Sequence, residues 1–178
     1  MWLSRRHLAT AALATAATAA VLAALWWADR AASGGATRHS PAPELRYTLL
    51  DGQQQHTRDL RGKVVLVNFW ATSCAVCVAE LPALAAMHQK YRGQGLQTLA
   101  VAMRYDPPAR VFDFATRWQL PFGVVIDNTG AIAQGFGDVQ ATPTSFLINR
   151  RGDIVHRFEG APDMAALQRR VARLLAES

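Results

Sequence analysis

FWATSCAVC, residues 69–77, holds both cysteines of this chain, two residues apart, at the end of an apolar run. The run itself, KVVLVNFW (residues 63–70), is continuous rather than alternating, which is the pattern of a strand buried on both faces, as central parallel strands are. The stretch AVCVAELPALAAMHQKYRGQG (residues 75–95) has helical spacing through Val78, Leu81, Leu84 and Met87 and stops at Gly93 and Gly95. The cysteines therefore belong to the turn after a central strand, at the start of a helix.

Working outward, RYTLL (residues 46–50) alternates, Asp51-Gly52 supplies a hairpin turn, and QQHTRDL returns as a second edge strand. Further along, LQTLAVAM (residues 96–103) is a second buried strand, Pro107-Pro108 open a helix over residues 109–118, and FGVVID (residues 122–127) is a third strand. A turn at residues 128–130 and a short helix near residues 132–136 precede TSFLIN and DIVHRFE, two strands joined by Arg150-Arg151-Gly152. MAALQRRVARLLAE closes the chain as an amphipathic helix with Leu167, Val171 and Leu174 on one face. Strands alternating with helices predict an α/β sheet covered on both faces, and the late hairpin makes that sheet mixed.

Residues 8–27 carry no charge and follow Arg5, Arg6 and His7. About 20 residues at ~1.5 Å each match one membrane crossing, with the arginines cytoplasmic and Trp26 and Trp27 at the far interface. A retained signal-anchor over residues 1–27 is the expectation. A cleaved signal peptide is the alternative, and Ser4-Arg5-Arg6-His7-Leu8 resembles a twin-arginine export signal. Residues 28–43, small, polar and broken by Gly and Pro, read as a flexible linker, and residues 44–178 as the domain.

The chain of 178 residues, 51% hydrophobic and 18% charged, is long enough for one such domain with a sizeable core. The net charge is +6, but from residue 41 onward 15 basic face 12 acidic side chains, without a long basic run. That excludes a nucleic-acid function as the expectation, and Arg150-Arg151 and Arg169-Arg170 read as solvated surface.

Four chemistries compete for Cys74 and Cys77. A structural disulfide would close a four-residue loop, which constrains the unfolded chain little. Structural zinc wants four ligands, whereas His39, His56, His88 and His156 are scattered. Two thiolates and a distant imidazole, His156, would suit a cuprous ion in a copper-binding module. Redox catalysis fits best. A thiolate at a helix N-terminus is stabilised by the helix dipole and free N–H groups, so Cys74 is the expected nucleophile, and Cys77, one turn on, the resolving thiol. No cofactor or metal is expected. A peroxidase remains an alternative, although Thr72 has no arginine near it in sequence to help polarise a peroxide.

The turn FWATSCAVC, Pro82 five residues after the second cysteine, and Thr142-Pro143-Thr144 before a later strand resemble the thioredoxin fold. The apolar N-terminal run, LRGKVVLVNFWATSC and Glu80 in CVAELP narrow this to a resemblance to the TlpA/ResA-like membrane-anchored thioredoxins, over residues 44–178. The resemblance implies a three-layer fold with a mixed central sheet and an N-terminal hairpin extension. It also implies a cis peptide bond before Pro143, with the Thr142 backbone free to pair with an extended substrate segment.

Where cytoplasmic thioredoxins carry a buried Asp this chain has Asn68, and Ser73 stands in place of a Trp, so proton traffic needs another group. Glu80 is the one the family offers. At ~100° per residue it lies almost one turn past Cys77 on the same side of the helix, placed to act as a base or to raise the thiol's pKa by repulsion. Ala75 and Val76 between the cysteines add no charge and leave the redox direction open. The family implies a protein-disulfide reductase outside the cytoplasm, held at the inner membrane by its N-terminal span. It would be recharged by a membrane thiol electron donor and act as a monomeric domain on exported disulfides, such as those of apocytochrome c or copper-site proteins. Arg104, Tyr105 and Trp118 are further rim candidates to which the pattern assigns no role.

Overall fold

The computed structural model describes residues 40–177. The signal-anchor expectation and residues 28–39 of the linker lie outside the described residues. Among the described residues no helix is long and apolar enough to cross a membrane.

The apolar run forms β4 (Val64–Trp70), buried along its whole length. It is parallel to β5 (Leu96–Ala102) on one side and antiparallel to β7 (Thr144–Ile148) on the other. The full sheet has the order β1-β8-β7-β4-β5-β6, with β1 at Ser40–Pro41, β6 at Gly123–Ile126 and β8 at Asp153–Glu159. The mixed sheet expected from the sequence is therefore present.

Strand parity sorts the core into two layers. Val64, Leu66 and Trp70 pack with α1 (Ala75–Tyr91), α2 (Pro108–Arg117) and α4 (Met164–Ala176) through Leu81, Leu84, Met87, Val111, Leu167 and Val171. Val65, Val67 and Phe69 pack on the other face with α3 (Ala131–Gly135) through Ile132, Ala133 and Phe136, and with Tyr47. Asn68 shares its parity with Leu66 and Trp70, so its amide enters the α1 layer.

The N-terminal hairpin is present but differs in detail. β2 (Arg46–Thr48) and β3 (Gln54–His56) form their own two-stranded sheet, closed by a five-residue loop in which Gly52 takes φ +85°. Only QQH of the expected returning strand is extended. Thr57–Leu60 turns into a 3-10 helix because His56 Nδ1 accepts from Arg58 N and Asp59 accepts from His56 N, a reciprocal cap. Residues 40–43, read as linker, belong to the folded body. Ser40 and Pro41 pair with Ile154 and Asp153, Ala42 N donates to Gly152 O, and Pro43 O accepts from the Thr57 hydroxyl.

Arg150 also departs from the surface reading. Its guanidinium donates to the carbonyls of Gly62 (2.8 Å), Gln94 (3.3 Å) and Leu175 (3.1 Å), clasping the approach to β4, the end of the α1 segment and the last turn of α4. A fork of fixed donors suits three backbone acceptors in a way that a lysine does not. Arg150→Ala is expected to cost about 2–3 kcal/mol, with Arg150→Lys recovering only part, as read by urea unfolding.

Candidate active site

The chain leaves β4 at Trp70, makes a tight turn held by Cys74 N donating to Ala71 O (3.1 Å), and enters α1 with Cys74 as the N-cap residue. Cys74 and Cys77 are joined as a disulfide, and Cys74 Sγ accepts a hydrogen bond from Cys77 N at 3.2 Å. The two sulfurs are not equivalent. Cys74 is half-buried at the helix N-terminus, beside exposed Ser73, Ala75 and Val76, whereas Cys77 has no exposed surface and packs in the α1 layer.

Thr142 and Pro143 come to the same place from the loop before β7. The peptide bond between them is cis, Pro143 is buried, and the Thr142 carbonyl oxygen lies 3.7 Å from Cys74 Sγ. Glu80 is 7% exposed on the next turn of α1, and its Oε1 accepts from Asn68 Nδ2 at 2.9 Å. The same amide donates to Ser145 Oγ at 3.0 Å, so Asn68 links the glutamate to the strand that follows Pro143. Burial pushes the Glu80 carboxyl up to about 6, with the Asn68 hydrogen bond pulling the other way. Glu80 Oε2 and Asn68 Oδ1 are buried without a partner, which leaves a protonatable oxygen on the carboxyl.

Cys74, Cys77, Thr142 and Pro143 are therefore brought together, from the start of α1 and from the loop before β7, and Glu80 is tied to the strand after that loop through Asn68. The structure adds Asp106, which the sequence reading did not name, and gives a contact to Tyr105, a rim candidate without a role. Asp106 reaches the turn before Cys74, and Tyr105, 55% exposed, sets its hydroxyl 3.3 Å from Thr142 Oγ1. The signal available for them is topological: loops after parallel strands collect at one end of the sheet, so residues after β5 stand beside residues after β4. Of the other rim candidates, Trp118 stacks on Phe114 at the C-terminal end of α2 and Arg104 lies against Gly130. His156 packs against Phe158, and among the described residues no three His, Cys, Asp or Glu side chains group as metal ligands. The Thr72 hydroxyl is engaged by Asp106.

The redoxin family model matches residues 37–171. The chain is similar to thiol-disulfide oxidoreductase ResA of Geobacillus kaustophilus, 34% identical over 130 residues that span 73% of this chain and 74% of that one. It is also similar to ResA of Geobacillus thermodenitrificans, 36% identical over 115 residues, where the match spans 65% of each chain, just under two thirds of that relative's length. Among solved structures it resembles a thiol:disulfide interchange protein of the thioredoxin family from Chlorobium tepidum. That likeness has a TM-score of 0.72 at 25% identity and covers 79% of this chain and 99% of the other. With a thioredoxin-like sheet, a cysteine pair at the start of α1 and these relatives, the chain belongs to the redoxin family as a thiol-disulfide oxidoreductase of the ResA type.

Proposed function

We propose that this protein is a reductant of disulfides in exported proteins, working outside the cytoplasm from an N-terminal inner-membrane anchor. Its substrates on this reading are segments such as the cysteine pairs of apocytochrome c or copper-site proteins, and a membrane thiol donor recharges it. The observation that carries its exchange chemistry is the asymmetry of the pair: Cys74 half-buried at a helix N-terminus beside the Thr142 carbonyl, Cys77 wholly buried behind it.

In the reduced protein the Cys74 thiolate attacks one sulfur of the substrate disulfide. A Cys74–substrate bond forms, the substrate bond breaks, and the leaving sulfur takes a proton from solvent. The Thr142 backbone pairs with the substrate segment and holds its disulfide in line, with Pro143 as the support beneath. Cys77 then loses its proton and attacks Cys74. The second substrate thiol leaves, the Cys74–Cys77 disulfide closes, and two electrons have passed to the substrate. No organic cofactor or resident metal takes part, and the domain acts as a monomer.

Glu80 receives the Cys77 proton in the resolving step. Its raised pKa of about 6 makes it a carboxylate above that pH and a carboxylic acid below it. The resolving rate is therefore expected to rise as pH rises through about 6, and Glu80→Gln to lose that inflection in stopped-flow traces of mixed-disulfide decay. Stability checks the same group. A folded-state pKa above the ordinary 4.5 contributes stability that is present below about pH 4.5 and lost as pH rises through about 6. Urea midpoints of Glu80→Gln are expected to lose that slope. Superimposable pH curves for parent and variant would remove Glu80 from the mechanism.

The direction of electron flow is tested by the equilibrium reduction potential of the pair against a dithiothreitol or glutathione buffer. A value near thioredoxin's, about −270 mV, is expected, and one above about −180 mV would make the protein an oxidant or isomerase instead.

A further inference from the structure

Three loops meet at the redox turn: the β4–α1 turn itself, the β5–α2 corner of residues 103–107, and the loop before β7. Trp70 pairs with Ala102, and Met103 N donates to Trp70 O at 3.0 Å, so the corner lies directly beside the turn. Asp106, only 2% exposed, reaches across with both oxygens. Oδ2 accepts from Thr72 N and Oδ1 from Thr72 Oγ1, each at 2.6 Å, two residues before Cys74. Next to it, Tyr105 meets Thr142, whose carbonyl lies by Cys74 Sγ, so the contacts close into a ring of which the sulfur is one member.

An aspartate just before a helix ordinarily caps that helix. Asp127 does so for α3, accepting from Ile132 N and Ala133 N, and Asp163 for α4, accepting from Ala165 N and Ala166 N. Asp106 does not: α2 begins with Pro107 as its N-cap residue and no side-chain cap. Its carboxylate is turned away from its own helix and onto the turn that carries the redox cysteine. A buried carboxylate is costly unless its oxygens are satisfied, and both of these bonds come from one residue of that turn.

We propose that Asp106 is a positioning residue of the redox centre, gripping Thr72 so that Cys74 Sγ stays within reach of the Cys77 N–H and the Thr142 carbonyl. The inference rests on Cys74 being the attacking sulfur. Removing the grip lets the turn relax, and the sulfur drifts from the N–H that stabilises its thiolate.

The test is the rate of alkylation of Cys74 by iodoacetamide in the reduced full-length chain, followed across pH with the modified residue identified by mass spectrometry. Thr72→Val and Asp106→Ala are expected to slow the reaction about tenfold at neutral pH and to move the profile upward, against the ~100-fold that a 1 Å misplacement costs a reacting group. Thr72→Ser, which keeps the hydroxyl, is expected to match the parent. Two results would overturn the proposal. In one, all the variants lower the urea midpoint yet keep the parent's pH profile, which makes the contact merely structural. In the other, Asp106→Asn and Asp106→Ala speed the reaction while Thr72→Val leaves it unchanged, which makes the effect one of charge alone. If Asp106→Ala does not fold, the Thr72→Val and Thr72→Ser pair decides. Failure of the reductase reading is distinguishable, because it appears as absent exchange with disulfides in the parent, whereas alkylation needs no exchange partner.

Discussion

Cys74→Ser is expected to reduce disulfide exchange to the uncatalysed rate, because the remaining thiol of Cys77 has no exposed surface from which to meet a substrate. Cys77→Ser is expected to fail differently. Cys74 still attacks from the start of α1, but nothing behind it releases the product, so the mixed disulfide accumulates. Non-reducing electrophoresis and intact-mass measurement with a disulfide-bonded protein substrate separate the two outcomes. Exchange retained in Cys74→Ser and lost in Cys77→Ser would reverse the assignment of attacking and resolving sulfur.

The largest expected stability loss lies in β4, on the face turned away from α1. Phe69 is fully buried and meets Phe136 and Phe146 edge-on, with ring centroids 5.6 and 5.9 Å away. Phe69→Ala removes that ring from the middle of a closed aromatic group, and about 3–5 kcal/mol is expected from lost transfer energy and the cavity left behind. Against a total stability of roughly 5–15 kcal/mol this lowers the melting temperature by about 10 °C or more. Because Phe69 points away from the α1 layer, the pH profile of Cys74 alkylation in the folded protein is expected to be unchanged. A loss below about 1 kcal/mol in urea unfolding would mean that the face collapses around the gap.

Asn68, next to Phe69 in β4, shows where sequence reading works and where it stops. That it is buried follows from its place in an apolar strand, and that it cannot replace an aspartate as a proton acceptor follows from its chemistry. That its amide joins Glu80 to Ser145 does not follow, since Ser145 is 77 positions further on and meets it only through the antiparallel pairing of β4 with β7.

Local periodicity alone was enough for the strand-turn-helix around the cysteines, the order of strands and helices and the mixed sheet, because each depends on hydrophobic spacing within one short segment. The motifs then pointed to Cys74, Cys77, Glu80, Thr142 and Pro143 as the expected site. The same reasoning overextended the returning strand of the hairpin and ended the linker too late, at residue 43, where capping and pairing by distant groups decide the backbone. Polar side chains are where it fell short most. Arg150 and Asp106 look like ordinary surface residues in the sequence, yet one clasps three carbonyls and the other grips the turn before the redox cysteine. Apolar burial is additive along the chain and so leaves a pattern in it, whereas a directional hydrogen bond needs its partner's position, and only the folded chain supplies that.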